Sequence, residues 1–229
     1  MMFRNREEAG RLLAQALATY EGRPNLVVLG LPRGGAPVAR IVADFLSAPM
    51  DVFIVRKLGV PWQPELAFGA IAETPGTVTR GDPAVRVIDQ ALVQECTLAP
   101  EVIEKIATRE QREIERRSRL YRGTRSLVDI HSREVIIVDD GLATGSTMMA
   151  AVRALRRQHA KSIIVAVPVG PRETCDALRQ AADKVVCLSS PEPFYSVGTW
   201  YEAFTQVTDR EVQHALSPGE SGIGLESAV

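Results

Sequence analysis

The stretch Val135 to Ala151, VIIVDDGLATGSTMMAA, gathers the residue types that could do chemistry. An apolar run delivers two adjacent carboxylates, Asp139 and Asp140, and Gly141 to Ser146 then turns directly into a helical pattern. Ala143, Thr144, Gly145, Ser146 and Thr147 offer successive backbone N–H groups and three hydroxyls at a helix N-terminus, which is a cradle for phosphate. Gly145, lacking a Cβ, permits close backbone approach and an unusual φ. Two carboxylates immediately before such a cradle suit a ligand with hydroxyls beside a phosphate, hence a ribose 5-phosphate. The structural alternative is an aspartate pair that caps the helix. Spacing excludes two other phosphate motifs: no G-x-x-x-x-G-K-[ST] occurs, and GLPRGG is not G-x-G-x-x-G.

The elements that must hold these groups follow from periodicity. Leu12, Leu13, Ala16 and Leu17 mark an N-terminal amphipathic helix that stops near Gly22-Arg23-Pro24. Leu26 to Leu31 reads as a strand, Pro32 to Gly35 as a break, and Ala36 to Leu46 as a helix. Further strands are predicted at Asp51 to Val55, Ala67 to Ala72, Gly76 to Arg80, Glu134 to Val138, Ser162 to Val167 and Lys184 to Leu188. Helices are predicted from Ser146 to about Gln158 and from Arg172 to Ala182. This alternation argues for an α/β fold with a doubly wound, mostly parallel sheet covered on both faces.

Two segments stand outside the alternation. Glu101 to Arg125 holds 13 charged residues in 25, eight of them basic, and predicts a long helix. It reads either as a solvated face laced by i,i+4 pairs such as Glu113 with Arg117, or as part of a mobile flap carrying arginines to an anionic substrate. Pro191 to Arg210 concentrates Phe194, Tyr195, Trp200, Tyr201 and Phe204, five of twelve aromatics. The domain plan is one unit over residues 1–216, with a core at 26–188, a flap at 59–125, an aromatic cap at 191–210 and a flexible tail at 217–229.

Composition removes other classes. With 27 Lys plus Arg against 28 Asp plus Glu, the chain lacks the overall charge of a nucleic-acid binder. The longest apolar runs are strand-sized, too short for a bilayer span, so no membrane partner is expected. The charged N-terminus has no apolar signal core, which predicts a cytoplasmic protein. Cys96, Cys175 and Cys187 form no C-x-x-C pair and fit buried thiols better than a disulfide or zinc site. His131, His159 and His214 fall at surface positions.

VIIVDDGLATGST closely resembles the phosphoribosyl-pyrophosphate (PRPP) signature of type I phosphoribosyltransferases: an apolar strand, two acidic residues, then a Thr-Gly-x-Thr loop. LPRGG, Leu31 to Gly35, is similar to that family's pyrophosphate loop. IVRK, Ile54 to Lys57, is similar to the Arg-Lys pair of its orotate and adenine branches. The start, FRNREEAGRLLAQAL, is similar to bacterial chains described as predicted phosphoribosyltransferases. The resemblance covers about Leu26 to Leu188. It implies pyrophosphate contacts from Arg33, Gly34, Gly35, Arg56 and Lys57, with Arg56 alternatively paired to an acidic neighbour. It implies 5′-phosphate contacts from Ala143 to Thr147 and catalytic roles for Asp139, Asp140, Arg33 and Lys57. Mg²⁺ is implied as a cofactor that rides on PRPP and meets Asp139 and Asp140 through water.

FYSVGTWYEAF, Phe194 to Phe204, is similar, with one extra residue, to the Phe-x-Val-Gly-x-x-x-Asp stretch of hypoxanthine-guanine phosphoribosyltransferases. This implies base contacts from Phe194, Tyr195 and Glu202 in a C-terminal hood. Those enzymes also carry a Lys after the strand that follows the phosphate loop, and VAVPVGP has none. The expected activity is Mg²⁺-dependent phosphoribosyl transfer from PRPP to a purine-like nitrogenous base with release of pyrophosphate, in an assembly that admits a homodimer. Its rivals are a PRPP- or nucleotide-sensing regulator on the same fold, and a related hydrolase or phosphorylase.

Overall fold

Five apolar runs of the chain become one parallel sheet. A computed structural model describes residues 1–77, 79, 81 and 83–217, with the backbone alone at Glu65. The sheet holds β1 (Leu26–Gly30), β2 (Met50–Val52), β6 (Glu134–Val138), β7 (Ser162–Val169) and β8 (Lys184–Ser189), in the order β2-β1-β6-β7-β8. All its pairings are parallel. Successive side chains point to opposite faces, so Val135 and Ile137 of β6 join one core and Ile136 and Val138 the other. Helices α5 (Ser146–Arg157) and α6 (Arg172–Arg179) cover the first face; α1 (Arg6–Ala16) and α2 (Gly35–Leu46) cover the second.

A separate antiparallel sheet carries β3 (Val55–Val60), β4 (Gln63–Ala72) and β5 (Val85–Ile88). It departs from the sequence expectation, which placed no strand over residues 56–60 or over β5. The strand expected at Ala67 is longer and starts at Gln63, and the strand expected from Gly76 is a turn as far as Thr77. Thr74-Pro75-Gly76-Thr77 closes on itself: the Thr77 amide donates to the Thr74 carbonyl at 3.1 Å, and the Thr77 hydroxyl accepts the Thr74 amide at 2.8 Å. Residues 78 and 80 lie outside the described residues, as does the expected tail beyond Ser217.

The predicted long helix is α4 (Pro100–Arg122), preceded by the short α3 (Gln90–Glu95). It does not stand free. Its apolar stripe, Ile106, Ala107 and Ile114, shares a core with Leu58, Phe68 and Ile71 of the antiparallel sheet and with Val212 of α7 (Asp209–Leu216). At its end Arg122, 1% exposed, pairs with Glu73, also 1% exposed, and lies 3.4 Å from Asp51 of β2. Leu120 and Tyr121 are tied to α7 by Gln213 and Asp209. Helix α7 was not evident from the aromatic segment before it. Its signal is a capping box, in which Thr208 and Glu211 satisfy each other's backbone amides. Among the described residues no helix is long and apolar enough to cross a membrane.

Candidate active site

Sheet order reverses between β1 and β6: β1 leads to β2 on one side, while β6 continues to β7 and β8 on the other. The crevice outside the carboxyl ends of such a pair is where open α/β sheets bind ligands. Here β1 and β6 run in register to Gly30 and Val138, and the Leu31 amide donates to the Val138 carbonyl at 2.9 Å. The loop after β1, Leu31 to Gly34, therefore lies beside Asp139 and Asp140.

The closeness of these loops explains the two glycines. A Cβ on Gly34 would collide with the Asp140 carboxylate, and one on Gly35 with the Val138 carbonyl and Asp139. Helix α2 starts at Gly35 and α5 at Ser146, and neither N-terminus is capped by a side chain. The start of α5 thus sets backbone N–H groups beside the carboxylates, suited to an anion, whereas α2 opens with Gly35 donating to the Leu31 carbonyl at 2.9 Å, Ala36 to the Arg33 carbonyl at 3.1 Å, and Pro37, which has no N–H. Gly145, at φ 69° and ψ 0°, reverses the chain into α5. A side chain there would also strike Thr174 of α6, whose hydroxyl donates to the Ala143 carbonyl at 3.2 Å. Thr144 and Ser146 share a hydroxyl contact of 3.0 Å, while Thr147 is exposed.

The carboxylates are electrostatically unequal. Burial and the neighbouring Asp140 charge raise Asp139 well above the usual carboxylate range. The Asp140 amide donates to Asp139 Oδ1 at 2.9 Å. Asp140 Oδ2 receives both Nε and Nη2 of Arg6 at 2.8 Å, with each side chain 13% exposed. The same guanidinium donates to the Thr205 carbonyl at 2.7 Å and lies 3.9 Å above the Phe204 ring. Tyr201 donates its hydroxyl to the Asp140 carbonyl at 2.6 Å. Arg6 was not legible as a site residue, because 134 positions separate it from Asp140 and one arginine in a charged first helix carries no signal.

The remaining expected residues divide. Arg33 is half-buried and makes no ion pair among the described residues. Arg56 is held by Glu110 of α4 at 2.7 Å, which matches the alternative of an acidic neighbour. Lys57 faces both a small pocket of about 270 Å³ against α5 and a larger cleft. That cleft, about 1790 Å³, lies between the antiparallel sheet and α4 and reaches Pro32 and Thr147 of the two loops. The hood residues lie elsewhere: Phe194 stacks on Trp200 at 6.4 Å, Tyr195 is 81% exposed, and Glu202 is exposed with its amide on the Phe3 carbonyl. None of these three lines the large cleft.

Residues 4–208 match the model of the phosphoribosyl transferase domain. Two Mycobacterium tuberculosis proteins, "Putative phosphoribosyl transferase MT0597" and its counterpart Rv0571c, are each 44% identical to this chain over 211 residues, 92% of its length. The chain spans 45% of the length of these curated relatives. The crystal structure of TT1426 from Thermus thermophilus is 39% identical and superposes with a TM-score of 0.81, covering 94% of this chain and 98% of that one. The family match runs through both loops and the carboxylate pair described above, and the chain belongs to the phosphoribosyl transferase domain family.

Proposed function

We propose that the chain transfers the phosphoribosyl group of PRPP to a nitrogenous base and releases pyrophosphate. The observation that supports this most is the convergence at one switch point of an uncapped α5 N-terminus, the Asp139–Asp140 pair and the Arg33-Gly34-Gly35 loop. In this reading the amides and hydroxyls of Thr144 to Thr147, with the Ala143 backbone, hold the 5′-phosphate. Asp139, whose burial beside Asp140 favours its neutral form, and Asp140, paired with Arg6, orient the ribose hydroxyls. Arg33 and Lys57 meet the negative charge that grows on the leaving pyrophosphate, with Gly34 contributing its amide and Gly35, whose amide donates to the Leu31 carbonyl, allowing close backbone approach. The C1′–O bond breaks with its electron pair on pyrophosphate, and the acceptor nitrogen bonds C1′ from the opposite face and gives up its proton to the departing pyrophosphate or to water.

Two adjacent carboxyl groups over a glycine loop suit Mg²⁺, which prefers oxygen ligands and keeps several waters. Asp139 and Asp140 would hold it through water, and it would supply neutralisation of pyrophosphate charge. Phe194, Tyr195 and Glu202, which do not line the large cleft, are the hood groups that would meet a flat, purine-like ring bound outside it.

Pyrophosphate release from PRPP and Mg²⁺ over a panel of bases tests the reading. Asp140→Asn should retain PRPP binding and lower turnover at least about tenfold, a loss of roughly 1.4 kcal/mol or more in transition-state stabilisation. One observation favours the regulatory alternative: Arg6 already occupies an oxygen of Asp140. That alternative predicts PRPP binding with no turnover on any base.

A further inference from the structure

The cleft beside the two loops is far larger than a pyrophosphate needs, and its charge is one-sided. Among the described residues, seven Lys and Arg side chains line it against four Glu. The carboxylates are mostly spent: Glu110 on Arg56 and Arg109, Glu113 on Arg116 and Arg117, and Glu104 on Arg86. Lys105 and Arg112, both exposed, make no ion pair among the described residues. Lys105, Arg109, Arg112 and Arg116 follow one another at i, i+4, i+7 and i+11, so they share one face of α4. That stripe is about 16 Å long at 1.5 Å per residue, longer than a pyrophosphate group can cover. The opposite wall is largely apolar, with Val55, Val60, Pro61 and Pro64, and Trp62, 66% exposed, stands at the hairpin tip. An apolar wall facing a cationic stripe fits a flat ring that carries an acid group.

We infer that the acceptor is a nitrogenous base bearing a carboxylate or phosphate, with its acid group held in this cleft by Lys105 and Arg112 of α4. The inference rests on the phosphoribosyl-transfer reading, since the acceptor must lie beside PRPP. Opposite charge attracts the ligand into the cleft, and the two unpaired cations provide charge-assisted hydrogen bonds without first breaking an internal pair. A neutral base of the same shape gains only the ring contact and leaves both exposed cations to water.

Trp62 provides the readout. The full chain is saturated with Mg²⁺ and PRPP, and tryptophan fluorescence is followed while acid and neutral members of matched pairs are added: purine-6-carboxylate and hypoxanthine, orotate and uracil, nicotinate and nicotinamide. Phosphate-bearing and phosphate-free aminoimidazoles form a fourth pair. The expected result is a saturable change with at least one acid and none with its neutral partner. It should be absent in Trp62→Phe and at least about tenfold weaker in affinity in the Lys105→Gln, Arg112→Gln double variant. PRPP affinity should be unchanged in that double variant. Four results would overturn the inference while leaving the phosphoribosyl reading intact: no change with any acid, equal changes within pairs, an acid response unaffected by the double variant, or a double variant impaired in PRPP binding instead. Failure of the wild-type chain to bind PRPP at all is a different outcome and would overturn both.

Discussion

Arg6 and Asp140 join the first helix to the end of the central strand, and the pair sets the charge of the candidate site. Asp139 and Asp140 are adjacent and hydrogen-bonded, so two ionised carboxylates there would repel each other in a partly desolvated space. Burial beside Asp140 shifts Asp139 toward its neutral form, and the Arg6 guanidinium pairs with Asp140. Arg6→Ala should therefore cost roughly 2 to 3 kcal/mol, because it leaves a mostly buried carboxylate without its partner. Adding Asp140→Asn to that variant should restore part of the loss, since the stranded charge is then gone. Denaturant midpoints of the two single variants and the double variant measure this; simple additivity would deny the coupling. Gly145 is constrained twice. Its positive φ and its contact with Thr174 both exclude a side chain, so the phosphate loop is shaped by α6 as well as by its own sequence.

Helix α4 changes the meaning of the flap. A lid spanning residues 59–125 would need all of that segment to move, yet the end of α4 is fixed by the buried Arg122–Glu73 pair and by two hydrogen bonds to α7. The β3–β4 hairpin tip has weaker restraint: register shifts interrupt the ladder around Gly59, and Trp62 is exposed. Hydrogen exchange should thus slow on addition of Mg²⁺ and PRPP at residues 59–64, while residues 106–122 are protected before PRPP is added. Fast exchange in the C-terminal half of α4 without ligand would restore the larger lid. These elements also show what sequence could convey. The parallel core was legible because its strands are apolar runs bounded by Gly, Pro or Asp, as in Leu26 to Gly30 and Val135 to Asp139. The short β5, Val85–Ile88, was not, because half-buried VRVI within a charged context lacks that signal. The loops of the site were legible as local motifs, whereas Arg6 and the cleft wall depend on contacts distant in sequence.

Among the described residues, three carboxyl groups resist ionisation. Burial pushes Glu73 up to about 7, against the opposing pull of Arg122, the Ile54 amide and Ser118 and with the Asp51 charge adding to it. Burial likewise raises Asp51, and burial together with Asp140 raises Asp139. A folded-state value above the ordinary 4.5 of Glu73 means that its contribution to stability is complete below about 4.5 and is lost as pH rises through about 7. Between about pH 5.5 and 7.5 this group alone should remove roughly 2 kcal/mol of stability. Glu73→Gln should flatten that slope while keeping an acceptor for the Ile54 amide. Thermal unfolding of both proteins across this range decides it; parallel slopes would mean that Glu73 is ionised throughout.

Calorimetric titration of the chain with Mg²⁺ and PRPP, run beside Thr147→Ala, tests most directly the central claim that the loop at the start of α5 holds the 5′-phosphate of PRPP. Thr147 is exposed at that loop, so its loss should spare the fold. A hydroxyl hydrogen bond to a charged phosphate contributes roughly 1.5 to 3 kcal/mol, so the variant should bind PRPP about 10- to 100-fold more weakly than wild type. No binding by the wild-type chain, or equal affinity in the two proteins, would contradict the account.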